Sequence, residues 1–71
     1  MRIVEVAPAI NGHWVIRDSG FPLGHYPAKR DAVADAKEMC ERQGGVELRI
    51  CDANGRTQRT RRYQQRNGFY L

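Results

Sequence analysis

The sequence predicts an α+β fold, an antiparallel sheet in ββ(β)αββ order with one helix packed on one face. Three observations predict it. One stretch, from about Ala28 to Gln43, has helical apolar spacing; short β-branched runs lie on both sides of it; and turn formers separate those runs. Strands flanking a single helix bury the helix's apolar stripe by sharing one sheet. At 71 residues the chain makes one domain, spanning 1 to 71 with residues 64 to 71 as a C-terminal tail. A domain of this size buries only about 60% of its unfolded surface, so its core is small.

Each element has a local reason. Arg2 to Val6, RIVEV, is short and β-branched, and Pro8, Asn11 and Gly12 follow as turn formers. The run HWVIR places Trp14 and Ile16 on one side and His13, Val15 and Arg17 on the other, which completes a first hairpin. Gly20, Pro22 and Gly24 interrupt regular structure and leave LGHYP, from Leu23, as a short third strand. The helix presents Ala32, Val33, Ala36, Met39 and Cys40 on one stripe, and Gly44 and Gly45 stop it. Its stripe is narrow and made of small residues, suited to close packing on a sheet. Val46, Leu48 and Ile50 then share one face of VELRICD, and DANG turns the chain into RTQRTRRY.

The charge is unevenly placed. Residues 1 to 48 carry six Lys or Arg against seven Asp or Glu, whereas residues 49 to 71 carry six Arg against one Asp. All the excess positive charge therefore falls in the last third, as arginine. No apolar run is long enough for a membrane span and no segment reads as a signal peptide, so a cytoplasmic protein without membrane contact is expected.

Catalytic and metal chemistry find little support. His13 and His25 have no Ser or Cys nucleophile in a recognisable elbow beside them, and they read as structural or surface residues. The order His13, His25, Cys40, Cys51 contains no pair at chelating spacing, so neither metal nor cofactor is expected. Asp31, Asp35, Glu38 and Glu41, interspersed with Lys37 and Arg42, read as a solvated helix face with i,i+4 pairs. Cys40 reads as a core residue, and Cys51, of opposite parity to Ile50, should face the other side of the sheet, which disfavours a disulfide. Asn11-Gly12, Asn54-Gly55 and Asn67-Gly68 read as turns. Trp14 and Tyr26 would suit a base-stacking platform, although a Trp alternating with Ile more often packs beneath the helix.

The arginine row depends on hairpin register. With a two-residue type I′ turn at Asn54-Gly55, Val46 faces Tyr63 and Glu47 faces Arg62, and Arg59 and Arg61 join the side of Leu48 and Ile50. With a type I turn over Asp52 to Asn54 and a left-handed Gly55, the pairing slips by one. Arg49 then faces Arg59, Glu47 faces Arg61, and a basic patch forms on the open face. In either register the strand lacks an apolar face of its own, which marks it as an edge strand whose arginines would also guard against edge-to-edge aggregation.

The order GHWVIRD, then HYPAKRDAVADAKEMCERQGGVELRICDANGRTQRTRRY, resembles domain-of-unknown-function family 2188, a group of small bacterial proteins. Gly12 and Trp14 fit its G-x-W strand, Lys29 and Ala32 its helix start, Asn54 and Gly55 its turn, and Tyr63 its closing polar strand. The match covers roughly residues 12 to 63; Pro27 and Ala28 stand where the family usually has a Thr ahead of the helix. The resemblance implies the fold and assigns no activity. Similar layouts occur in sheet-type DNA-binding modules of phage recombinases and in small phage inhibitors of bacterial defence complexes, and layout alone does not carry function.

Solubility alone would accept lysine, whereas arginine's planar fork grips phosphate or carboxylate and stacks on bases. The expectation is therefore a non-enzymatic binding module. Arg49, Arg56, Arg59, Arg61, Arg62 and Arg66, with Tyr63, Phe69 and Tyr70, would contact nucleic acid or a nucleoprotein complex without sequence specificity. The alternative is a protein-interaction module, either a homodimer or a mobile-element inhibitor of a bacterial complex. It would dock on an acidic protein partner through the edge strand and the GFYL tail.

Overall fold

The computed structural model describes residues 2–65. Its elements run β1 (Arg2–Pro8), β2 (Trp14–Asp18), β3 (Phe21–Tyr26), α1 (Lys29–Gln43), β4 (Val46–Cys51) and β5 (Thr57–Tyr63), with a single 3₁₀ turn, Ile10–Gly12, between β1 and β2. The strands form one sheet in the order β3-β2-β1-β4-β5, and α1 covers one face of it. The α+β class and the element order are as the sequence predicts. Neighbouring strands are antiparallel except at the centre, where β1 and β4 run parallel.

Burial explains the central pair. Val4 and Val6 of β1 and Val46 and Leu48 of β4 are fully buried beneath the helix, while Ala7 and Cys51 are buried on the other face. The apolar helix-side faces of these two strands place them at the centre of the sheet, while their open faces also carry Glu5, Glu47 and Arg49 in ion pairs. From the helix, Ala32, Ala36 and Cys40 recur every four residues and meet that core, and with so little side chain between them the backbones approach closely. Trp14, Tyr26, Val33, Met39 and Tyr63 pack around its margin. Trp14 therefore lies at the core edge, as its alternation with Ile16 suggests.

The helix begins at Ala28, which supplies no side-chain cap, and ends at Gly44, whose φ of 67° ends the right-handed turn while its N–H donates to the Cys40 carbonyl at 2.9 Å. β3 begins two residues earlier than expected. Ser19 and Gly20 both take positive φ, 52° and 87°, and join Asp18 directly to Phe21 in a two-residue hairpin, so Pro22 falls inside the strand. A proline is tolerated there because β3 is an edge strand, and the register shift beyond Ile16 accommodates it. No helix among the described residues is long and apolar enough to cross a membrane.

Candidate functional site

The β4–β5 hairpin combines features of both expected registers. Its turn is of the second kind: the Gly55 N–H donates to the Asp52 carbonyl at 3.0 Å, Gly55 has φ 84°, and Asp52 and Arg56 are joined by a 2.8 Å backbone bond. The Asp52 carboxylate also accepts from the backbone N–H groups of Asn54 and Arg56, at 2.9 and 3.0 Å. Cys51 then pairs with Thr57, and one extra residue on β5 shifts the register before Ile50 pairs with Arg59. Beyond that irregularity the pairing is of the first kind, with Leu48 opposite Arg61, Glu47 opposite Arg62 and Val46 opposite Tyr63.

This geometry splits the arginine row, which the sequence treated as a single strip. Arg49 and Arg62 lie on the open face and both engage Glu47, at 2.6 and 3.3 Å. The Glu47 carboxyl is held below its ordinary range, chiefly by the hydrogen bond from Arg49, with Arg62 adding to the effect. Beside them Arg17 pairs with Glu5 at 3.3 Å, so the open face alternates in sign and is largely neutralised. An open-face basic patch built by Arg49 is therefore not what forms. Arg56 is exposed at the turn. Arg66, Phe69 and Tyr70 lie outside the described residues.

Arg59 and Arg61 point the other way, to the helix side. α1 packs on β1, β2, β3 and β4, leaving β5 beyond its flank, and the space between is a continuous groove. Val33 and Ala34 of the helix and Leu48 and Ile50 of β4 supply its apolar lining. One wall carries Arg59 and Arg61; the other carries Lys29, Arg30 and Lys37. Among the described residues that line it, every charged side chain is a cation. The wider section, near the helix N-terminus, has a volume of roughly 770 Å³.

Two of the cations are fixed by aromatic rings. The Lys29 ammonium sits 5.0 Å from the Trp14 ring centroid and donates to Gln58 at 2.9 Å, while the Arg61 guanidinium lies 5.0 Å from the Tyr63 ring. Contacts of this kind contribute about 0.5–1 kcal/mol at exposed sites and hold the charge in place. Tyr63 is half-buried; burial pushes its hydroxyl upward in pKa, Arg61 opposes that, and the phenol oxygen is buried without a hydrogen-bond partner. Trp14 and Tyr63 thus support cations with their rings.

The helix contributes what the sequence reading missed. Read as a solvated face, it is divided lengthwise: Lys29, Arg30 and Lys37 flank the groove, whereas Asp35, Glu38 and Arg42 line a depression on the β3 side with Leu23 and Tyr26. Four ion pairs, Arg2–Asp18, Arg17–Glu5, Arg49–Glu47 and Arg62–Glu47, join strand to strand or lie within β4. A plot of charge around the 100° helical step sets Lys29, Arg30 and Lys37 on one side and Asp31, Asp35 and Glu38 on the other, with Glu41 falling beside the cations and Arg42 beside the acids; what it lacks is which neighbouring strand each side faces. Cys40 and Cys51 are both free and buried, in separate clusters on opposite faces of the sheet, as their parities require. No group of three or more His, Cys, Asp or Glu among the described residues is placed to hold a metal ion.

Comparison with curated proteins and with solved structures returns no match. The family model of DUF2188, described as an uncharacterized protein conserved in bacteria, matches residues 4–63, which take in the helix, the groove and every strand but for the first two residues of β1. The chain belongs to this DUF2188 family.

Proposed function

We propose that the protein is a non-enzymatic binding module that holds a nucleic-acid backbone, alone or within a nucleoprotein complex, in the groove between α1 and β5. One observation carries the reading: five cations from two different elements line one groove whose described lining includes no carboxylate. Like charges at close range repel, so a bound polyanion would stabilise such a cluster. Phosphates suit it, because arginine forks and lysine ammonium groups both bind them and the released counterions drive association. Sequence reading is not expected, since α1 is packed on the sheet and presents acidic residues on its other flank. The test is fluorescence anisotropy of labelled DNA and RNA at two salt concentrations, with the Arg59→Ala, Arg61→Ala double variant as control. Salt-sensitive binding that the variant weakens is expected; equal binding by both proteins would remove the groove from the site.

A second reading is favoured by the position of β5 at the sheet edge, paired only with β4. Its outer side is open to an added strand, and an acidic extended segment of a partner would meet Arg59, Arg61 and Arg62. A homodimer through β5 would set these arginines against their own copies. In this reading, removing residues 67–71 abolishes association, and salt weakens it less steeply than it weakens binding of a polyanion, because backbone pairing along the strand edge does not depend on charge.

A further inference from the structure

We propose that the occupant of the α1–β5 groove is a single-stranded nucleic acid, its phosphates on the two cationic walls and its bases against the apolar floor. This rests on the reading above and names the ligand class. The first argument is the floor. Val33 is half-buried and Ala34 exposed where they line the wider section, with the edge of Ile50 between them and β5, so part of the groove lining is accessible hydrocarbon. Phosphate alone gains nothing from hydrocarbon, whereas an unstacked base has apolar faces to bury there.

The second argument is the far side of the helix. Asp35 and Glu38 line its β3 flank and Asp31, exposed, precedes them on the same stripe. A helix with its side chains is about 10–12 Å across. The phosphate rows that border a duplex major groove are separated by a similar distance, about 12 Å. A duplex that seats one row in the basic groove therefore lays the other along this acidic stripe. A single strand occupies the groove and leaves the stripe untouched.

The third argument is the placement of Lys29 and Arg30. Both sit in the first turn of α1, where the helix dipole disfavours cations by about 0.3–1 kcal/mol each. Glu or Asp there would stabilise the helix. Lys29 is instead held toward the groove by Trp14 and Gln58, which sets a fixed cation at its mouth.

The experiment uses a labelled strand of about 16 nucleotides, the upper site size of small single-strand-binding folds. Its duplex and inorganic polyphosphate are the comparators, all at low salt. The single strand should bind about tenfold tighter than the duplex. Lys37→Glu, a change at the groove wall outside the core, should weaken single-strand binding. Asp31→Asn with Glu38→Gln should tighten duplex binding and leave single-strand binding nearly unchanged. Equal affinity for strand and duplex in the wild-type protein, or displacement of the strand by polyphosphate at equal phosphate concentration, would overturn the single-strand assignment while leaving the phosphate-binding reading in place. Absence of binding to all three polyanions overturns both.

Discussion

Replacing Arg59 and Arg61 together by alanine gives the most quantitative check on the groove. Each phosphate neutralised on a single strand contributes about −0.7 to the slope of log K against log salt. If all five groove cations engage phosphates, the wild-type slope is about −3.5, and affinity falls about 130-fold between 50 and 200 mM salt. The double variant keeps Lys29, Arg30 and Lys37, so its slope should be about −2.1 and its loss about 18-fold over the same interval. Both residues are exposed and neither belongs to the core, so the fold should survive. The one packing loss is the contact of Arg61 with Tyr63, about 0.5–1 kcal/mol. Anisotropy titrations at four or more salt concentrations, paired with thermal melts, separate the two effects. An unchanged slope in a folded variant would refute the argument, because counterion release counts the phosphates contacted wherever the ligand lies.

The fold offers further checks. Leu48→Ala, at a fully buried position between β1 and β5, should cost about 2–5 kcal/mol in denaturant unfolding; a loss below 1 kcal/mol would contradict its place in the core. Asp52→Ala removes both side-chain bonds that close the β4–β5 turn and should cost about 1–2 kcal/mol, with early amide exchange in β5 as the local signature. Glu47 has a folded-state pKa below its ordinary value of 4.5, so its stabilising contribution is complete above that value and is lost as pH falls through the lowered one. The stability advantage of wild type over Glu47→Gln should therefore shrink in thermal melts taken progressively below pH 4.5; an advantage independent of pH would refute the ion-pair assignment. Burial raises the pKa of both thiols, so a thiol reagent at neutral pH should react with neither cysteine in the native protein and with both after denaturation.

The sequence by itself determined what is local. Alternation of Trp14 with Ile16, and of Val46 with Leu48 and Ile50, set which side chains face the core, and the spacing of Ala32, Ala36 and Cys40 set the helix and its buried stripe. The opposite parities of Ile50 and Cys51 placed the two cysteines on different faces without any knowledge of strand order. These features depend on chain periodicity, which needs no distant partner to be read. Tertiary structure decided the rest. The parallel pairing of β1 with β4 joins segments separated by two strands and the helix, and no local signal marks it. Register at Arg59 and Arg61 turned on a single extra residue near Gln58: it lets a turn of one type lead into the pairing expected from the other, and a one-residue slip exchanges the faces of a strand. The groove followed from both. Lys29, Arg30 and Lys37 lie 22 or more residues before Arg59, and they become its opposite wall only because α1 packs on β1 to β4 and lies to one side of β5.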